Sequence, residues 1–246
     1  QVDVVSDTEI KGSKLTKYWA FDQQASFYAK FSKPFTYTIV RDTLTDAKGR
    51  TQPRCKVLLK FKTEKDEPVM VKVGISAVDT EGAKKNLEAE IPAWDFDKVR
   101  NDARQAWNAY LSKIDITTSN ATNKNIFYTA MYHTAISPNL FTDVDGRYLG
   151  MDREIHQGDV NKPVYTVFSL WDTFRALHPL LSIIDPKLNN DFIRSLILKS
   201  QEGGVFPMWD LASNYTGTMI GYHAASLIAD AYTKGNADFD LQEAYK

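Results

Sequence analysis

The spacing of apolar residues changes once along this chain of 246 residues, and that change is its strongest constraint on the fold. Up to about residue 80, apolar side chains recur at every second position, as in Val71, Val73 and Ile75. A period of two is typical of strands that have one buried face. From about residue 92 the period becomes 3.6, which is typical of amphipathic helices. The sequence therefore predicts an α+β chain, with antiparallel sheets first and helices after them.

The first part predicts about five half-buried strands and no obvious opening strand, which is the pattern of a partial β-sandwich. Cys55, Val57 and Leu59 lie on one side of such a strand, with lysines mostly on the other. The single Cys55 excludes an internal disulfide. Its place in this alternation indicates a core strand residue rather than a nucleophile. Residues 46–49, Asp-Ala-Lys-Gly, predict a turn between two strands.

The second part predicts five helices. Asp185-Pro186 is a strong start signal, and Gly203-Gly204 is a matching stop signal. The helix before it is expected to end ahead of Pro179. The expected ranges are about 96–111, 123–136, 166–177, 186–203 and 218–234, of which the first is a long amphipathic helix that joins the two halves. Between them, the polar segment 141–165 predicts a long loop, either functional or disordered.

Charge and hydropathy exclude two classes of partner. The chain has 30 basic and 31 acidic residues, a net charge of -1, so no basic surplus is available for a phosphate backbone. No apolar run reaches the ~18 residues that span a bilayer. The lack of disulfides fits a cytoplasmic protein and, equally, a secreted bacterial enzyme with a large core. Because Gln1 follows no initiator Met or signal peptide, we expect a leader or a longer segment before it.

The segment Ser169–Leu181 carries a Trp, an Asp, an Arg and a His on an expected apolar helix face. Burying an unpaired carboxylate is costly, so the segment indicates either a ligand site or an internal network. In the first interpretation, Asp172 accepts hydrogen bonds from ligand hydroxyls while Trp171 covers an apolar sugar face. In the second, Asp172 forms an ion pair with Arg175 or Arg147. The residues alone leave both interpretations open.

A second candidate follows Gly203-Gly204, where Trp209 and Asp210 lie in a segment rich in glycine and aromatic residues. Trp209 is either a ligand platform or an anchor of the loop in the core. The abundance of aromatic residues suits a sugar-binding protein, although a large core alone would also explain it. The four histidines have no spacing typical of a transition-metal site. Residues 143–146, Asp-Val-Asp-Gly, resemble a calcium loop only faintly and lack its distal Glu.

Several longer stretches together carry a resemblance to a known family. They are Tyr28–Phe35, Val73–Asp79, Gly82–Glu90, Trp94–Asp97 with Trp107-Asn108, Asp145-Gly-Arg-Tyr-Leu-Gly-Met-Asp152, Phe168-Ser-Leu-Trp-Asp-Thr-Phe-Arg175 and Met219–Tyr232. In this order they resemble glycoside hydrolase family 92, the calcium-dependent exo-acting α-mannosidases. The stretches cover nearly the whole chain, so together they are far more specific than any one of them.

The resemblance implies a domain plan. Residues 1–92 would be the C-terminal portion of a β-sandwich, 93–115 a helical linker, and 116–246 the first part of an (α/α)6 toroid. A closed toroid needs more helices than this chain supplies. We therefore expect the chain to be an internal piece of a longer polypeptide, secreted or periplasmic in a bacterium, with the rest of that polypeptide as its partner.

The resemblance also implies an activity, which is inverting hydrolysis of α-mannosidic bonds in glycans, releasing mannose, with Ca²⁺ engaging the sugar hydroxyls. By position, Asp172 would contact a mannose hydroxyl, and Trp171 and Trp209 would line the same pocket. Many relatives carry Glu where this chain has Tyr215, which puts a role for that position in doubt. The general acid Glu, the base Asp and the main calcium ligands are expected downstream of Lys246, so no catalytic or metal residue is assigned within the chain.

Two other functions remain open at this stage. A non-catalytic sugar-binding or scaffold protein would need neither the acid nor the base. Another (α/α)6 glycosidase, acting on glucosides, would share the helical architecture.

Overall fold

The computed structural model describes every residue from Gln1 to Lys246. The chain divides into two compact units. The first unit comprises Gln1–Leu15, Gln24–Trp94 and Asp143–Asp145, and the second comprises Thr16–Gln23, Asp95–Thr142 and Gly146–Lys246. The longer strands come first and the longer helices follow them, so the α+β class predicted from the change of period is confirmed.

The first unit is built on six strands rather than about five. They are β1 (Val2–Val4), β2 (Glu9–Thr16), β3 (Gln23–Phe31), β4 (Phe35–Thr45), β5 (Thr51–Phe61) and β6 (Val71–Ser76). Four of them form one sheet in the order β1-β2-β3-β6. The opening strands β1 and β2 were not predicted, because polar and charged side chains interrupt their alternation.

Strands β4 and β5 form a long antiparallel hairpin whose register runs from Thr45↔Thr51 to Phe35↔Phe61. The predicted turn is confirmed. The Asp46 carboxylate accepts hydrogen bonds from the backbone N–H groups of Lys48 and Arg50, at 2.8 and 3.0 Å. Gly49 has a φ of 75°, a left-handed conformation that glycine adopts without a steric penalty.

Two apolar clusters stabilise the first unit. Buried Ile10, Ala29 and Phe35 pack with half-buried side chains from both the sheet and the hairpin. On the other sheet face, Ala83 and Leu87 of helix α1 (Thr80–Glu90) pack against buried Tyr28. The apolar side chains of β6 were expected to face the core. Instead, α1 covers the opposite face of β6. These apolar side chains, Val71, Val73 and Ile75, are exposed.

The second unit contains the remaining elements. The helices are α2 (Phe96–Leu111), α3 (Ala121–Thr134), α4 (Leu170–Thr173), α5 (Leu177–Ile184), α6 (Pro186–Gly203), α7 (His223–Thr233) and α8 (Leu241–Tyr245). The short strands are β7 (Asn139–Leu140), β8 (Arg147–Leu149), β9 (Ile155–Gln157), β10 (Tyr165–Thr166), β11 (Phe168–Ser169) and β12 (Trp209–Asp210). Pairing is antiparallel between β7 and β10, between β8 and β9, and between β11 and β12.

The core of this unit lies among α5, α6 and α7, where twelve buried side chains form one cluster. Helix α6 begins and ends where predicted. The Asp185 carboxylate accepts a hydrogen bond from Leu188 N–H at 3.2 Å, and Gly204 ends the helix with a φ of 80°. Helix α2 also has the predicted range, but none of its residues is buried, and Phe96 is 70% exposed. No helix combines the length and the apolar character that crossing a bilayer requires.

Four expectations in this unit were wrong. The expected helix 166–177 is replaced by β11, the single turn α4 and a break at residues 174–176. Pro179 does not follow a helix end; it lies in the first turn of α5, where a missing N–H leaves no helical bond unmade. The expected loop 141–165 contains the β8–β9 hairpin. Helix α7 begins at His223 rather than near 218, after Met219 and Gly221 with positive φ.

Candidate functional site

Pairing of β11 with β12 brings together two segments that are distant in sequence. Ser169 pairs with Trp209, and Phe168 pairs with Asp210. Helix α4 starts at the next residue, so Trp171 and Asp172 lie one turn beyond this pairing. The Trp171 and Trp209 rings meet edge to face, with centroids 5.3 Å apart. The sequence-predicted residues Trp171, Asp172 and Trp209 therefore lie side by side within the second unit.

Two further aromatic residues extend this arrangement. The Trp19 ring lies 5.7 Å from that of Trp209, and the Tyr18 ring lies 5.5 Å from that of Trp19. We name these four residues, Tyr18, Trp19, Trp209 and Trp171, the aromatic row. Tyr18 is 81% exposed and Trp19 is 47% exposed. Apolar rings open to solvent and adjacent to a carboxylate are typical of sites that bind sugars or other amphipathic ligands.

Asp172 is exposed, which corrects the expectation of a buried carboxylate. One of its oxygens accepts a short hydrogen bond from the Ser169 hydroxyl. Arg175 does not pair with it; the guanidinium lies 5.0 Å from the centroid of the Phe174 ring. The carboxylate is therefore oriented by a neutral donor, keeps its charge uncompensated by Arg175, and is accessible to the hydroxyls of a ligand.

The segment from Trp209 to Thr216 folds as a tight turn with unusual backbone angles. Ala212 and Ser213 have φ values of 51° and 54°, in the left-handed region that residues other than glycine seldom adopt. The buried Asn214 amide donates to the carbonyls of Ala212 and Leu211, at 2.9 and 3.2 Å. Tyr215 bridges back to Asp210. The turn is therefore stabilised by its own side chains as well as by its neighbours.

The segment that carries Tyr18 and Trp19 is attached to the same turn. Asp22 N–H donates to the Asn214 side-chain oxygen at 3.1 Å. Arg153 donates to the Asp22 carbonyl at 2.6 Å and lies 3.4 Å from the Ser213 carbonyl. The aromatic row is thus assembled from three chain segments. Side-chain hydrogen bonds join the Tyr18–Trp19 segment to the turn, and the pairing of β11 with β12 joins the turn to the segment that carries Trp171.

A buried ion pair lies directly behind the turn. Lys199 Nζ is 3.3 Å from Asp210 Oδ2, and the two side chains are 1% and 0% exposed. The Thr166 hydroxyl donates to the same carboxylate oxygen at 2.8 Å and accepts from Ala212 N–H at 2.9 Å. Lys199 also donates to the Ser213 hydroxyl at 3.3 Å. Asp210 is therefore not available to an external ligand, unlike Asp172.

The β8–β9 hairpin carries a separate polar cluster. The Tyr148 hydroxyl donates to Glu202 at 2.8 Å, and both burial and this carboxylate raise the pKa of the tyrosine. His156 lies against the Tyr148 ring and 2.9 Å from an Asp152 oxygen. The bond to Asp152 raises the pKa of His156. Because each of these groups has a partner within the chain, the cluster is best explained as the anchor of the hairpin.

The oxygen and nitrogen donors of the chain decide whether it could hold the Ca²⁺ that the resemblance implies. A site for Ca²⁺ needs six to eight oxygen ligands, several of them carboxylates. The chain contains no group of three or more His, Cys, Asp or Glu side chains arranged to hold a metal. At the aromatic row, Asp172 is exposed next to a serine hydroxyl, whereas Asp210 is engaged with Lys199. The residues of this chain do not fit a calcium site of their own.

Sequence analysis missed Tyr18, Trp19, Asp22, Arg153 and Lys199. A signal was available for the first two, because Tyr-Trp-Ala-Phe is a cluster of large rings between two strands, where polar turn residues are usual. No signal identified the others. Their partners lie more than ten residues away in sequence, and a single sequence does not indicate which charged residue becomes buried.

Comparison with known proteins matches both parts of the chain to one family. The model of the glycosyl hydrolase family 92 N-terminal domain matches residues 1–76, and that of the family 92 catalytic domain matches residues 82–246. An uncharacterized secreted glycosidase of Arthroderma benhamiae is 33% identical over 117 residues, which are 41% of this chain and 15% of that protein.

Solved structures match over the whole length. A family GH92 alpha-mannosidase from Bacteroides thetaiotaomicron superposes with a TM-score of 0.91 and 34% identity, over 99% of this chain and 34% of that chain. A family GH92 inverting mannosidase from the same organism superposes with a TM-score of 0.86 and 26% identity, over 99% of this chain and 34% of that chain. The chain thus spans about one third of the length of these solved relatives and less of the fungal one. From its two matched segments, this chain belongs to glycoside hydrolase family 92.

Proposed function

We propose that the intact protein is an α-mannosidase and that this chain supplies one wall of its sugar site. The observation that carries the proposal is the exposed Asp172 beside the aromatic row. A carboxylate accepts hydrogen bonds from sugar hydroxyls, each worth ~1.5–3 kcal/mol when one partner is charged. Indole rings cover the apolar C–H face of a hexose. In this proposal Asp172 contacts a mannose hydroxyl, while Trp171 and Trp209 line the same pocket.

The family relation supports mannose rather than another sugar. The Bacteroides thetaiotaomicron alpha-mannosidase has also been solved in complex with mannoimidazole, and this chain superposes on that complex with a TM-score of 0.90 at 34% identity. We therefore propose α-mannosidic bonds of glycans as the substrate. A relative named as a secreted glycosidase supports a secreted or periplasmic location.

The chemistry proposed is inversion at the anomeric carbon. Inversion needs one carboxylic acid that protonates the leaving oxygen and one carboxylate ~6.5–9.5 Å away that activates water. The aromatic row offers one exposed carboxylate, Asp172, which is assigned to binding. We propose that the acid Glu, the base Asp and the ligands of a required Ca²⁺ belong to other parts of the intact protein. In the same proposal, residues 1–92 belong to a β-sandwich, 93–115 to a linker and 116–246 to an (α/α)6 toroid.

The presence of that single exposed carboxylate also favours a second candidate, a sugar-binding protein without activity. The two candidates differ in what they do to an α-mannoside. The experiment is to incubate the intact protein with an aryl α-mannoside and follow the released sugar by proton NMR, with and without EDTA. The proposal expects β-mannose as the first product and no release after chelation. Binding without release supports the second candidate, and α-mannose as first product contradicts inversion.

A further inference from the structure

The buried ion pair between Lys199 and Asp210 is expensive to maintain. Removing two charges from water costs free energy that their mutual attraction only partly offsets, and an apolar pair of similar volume is often equally stable. Here the cost is increased because Asp210 Oδ1 is buried without a hydrogen-bond partner. Stability alone therefore does not explain the pair, and its surroundings suggest what does.

Both members of the pair hold the strained turn. Lys199 extends from α6 and donates to the Ser213 hydroxyl, while Asp210 Oδ2 accepts from Thr166, whose hydroxyl accepts from Ala212 N–H. Ala212 and Ser213 are the two residues with left-handed backbone angles. Such conformations persist only where the surroundings determine them. The polar network behind the turn therefore holds Ala212 and Ser213 in their left-handed conformations.

The pair also determines where Trp209 points. Successive side chains of a strand face opposite sides. Trp209 and Asp210 are the two residues of β12, so the contact that holds Asp210 inside the unit directs Trp209 outward. There the Trp209 ring lies between those of Trp19 and Trp171.

We propose that Lys199 and Asp210 are positioning residues, which hold Trp209 in the orientation that completes the aromatic row and thereby set its affinity for sugar. The sugar part of this inference rests on the proposed function, whereas the orientation of Trp209 does not. The two parts are therefore tested by separate measurements.

The test compares variants of the intact protein. Lys199→Met with Asp210→Leu removes both charges and keeps apolar volume in the core. Lys199→Arg keeps the charge pair. The matched control is Asp191→Asn, because Asp191 is also a buried acid paired with basic residues of α6, yet it has no contact with the aromatic row. Each variant is measured for thermal midpoint, near-ultraviolet circular dichroism and affinity for methyl α-mannoside.

The double variant is expected to unfold within a few degrees of the parent, because no charge is left buried alone. It should lose the dichroism of the coupled indoles. It should also bind methyl α-mannoside about tenfold more weakly, because Trp209 no longer covers the sugar ring. Lys199→Arg should retain both the dichroism and the affinity of the parent. Asp191→Asn should change the thermal midpoint only.

A folded double variant with the parent's dichroism and affinity would overturn the proposal, and so would equal losses in Asp191→Asn. If the double variant does not fold, Asp210→Asn replaces it, with the same losses expected and unchanged dichroism as the contradicting result. If the parent itself does not bind methyl α-mannoside while the dichroism changes as expected, the proposed function fails and the positioning role stands.

Discussion

His178 is a buried imidazole whose two nitrogens have different surroundings. Its Nδ1 lies 3.0 Å from Asn189 Oδ1, while the Asn189 amide donates to the Ser182 hydroxyl at 3.3 Å. Because Asn189 Oδ1 can only accept a hydrogen bond, Nδ1 of His178 carries the proton and Nε2 carries none. Nε2 is buried without a partner. Burial lowers the pKa of His178 to about 4, against which the bond to Asn189 acts weakly.

This residue makes the fold sensitive to acid. In the unfolded chain the imidazole takes up a proton near its ordinary pKa of ~6.5, whereas in the folded chain it does so only near 4. The unfolded state therefore binds more protons between these values, and stability falls as the pH falls through that window. Across this window, a pKa shift of this size lowers the free energy of unfolding by ~3 kcal/mol.

We expect His178→Gln to flatten the dependence of the thermal midpoint on pH between about 7 and about 4.5. His156→Gln is the matched control with the opposite sign. Asp152 raises the pKa of His156 in the folded chain. The stability that His156 contributes is therefore present below its pKa in the unfolded chain and is lost as the pH rises through its pKa in the folded chain. A parent and a His178→Gln variant with parallel pH profiles would show that the buried imidazole does not cause the acid loss.

At the scale of elements, the sequence predicted the caps of α6 correctly but did not predict the boundaries of α4 and α5. Asp185-Pro186 and Gly203-Gly204 act through local hydrogen bonds and backbone angles, which adjacent residues determine. Pro179 is ambiguous by its nature, because proline suits both the first turn of a helix and the segment after one. The pairing of β11 with β12 makes residues 168–169 a strand, so the helix that was expected to end before Pro179 does not form there, and that pairing is a tertiary contact.

The same distinction explains the candidate site. Trp171 and Trp209 were predicted from rings placed near an acid or a glycine-rich segment, which is a local pattern. Trp19 joins them through Asp22 and Asn214, which are 192 residues apart. The expected burial of Asp172 was wrong because the helix assigned to it is a single turn, which ends before an apolar face can be covered.

The N-cap of α6 gives a quantitative test at this scale. Asp185→Ala removes the acceptor for Leu188 N–H and also the ion pair with Lys113, so we expect a loss of ~1–2 kcal/mol in the free energy of unfolding. Asp185→Asn keeps the capping oxygen and should lose less. Denaturant titration of both variants measures the difference, and an alanine variant as stable as the parent would contradict the role of the cap.

At the scale of the whole molecule, the proposed sugar site places exposed aromatic rings beside a single exposed carboxylate. Trp209 and Asp210 are the two residues of β12, and the proposed positioning role assigns the Lys199–Asp210 ion pair to the side opposite Trp209. Helix α2, predicted as a long amphipathic helix, carries exposed apolar side chains such as Phe96. The solved relatives that match this chain are about three times as long as the chain, which agrees with a site completed by other segments.

We propose that Asp172 binds mannose in an α-mannosidase, and kcat/KM of the intact protein on an aryl α-mannoside tests this role directly. We predict that Asp172→Ala lowers it ~30-fold, equivalent to ~2 kcal/mol, because a hydrogen bond to a charged group is lost from the transition state. Glu90→Ala, which removes an exposed acid at the end of α1, should leave it unchanged. A parent that releases no mannose, or an Asp172→Ala variant with the parent's kcat/KM, would contradict the proposed role of Asp172.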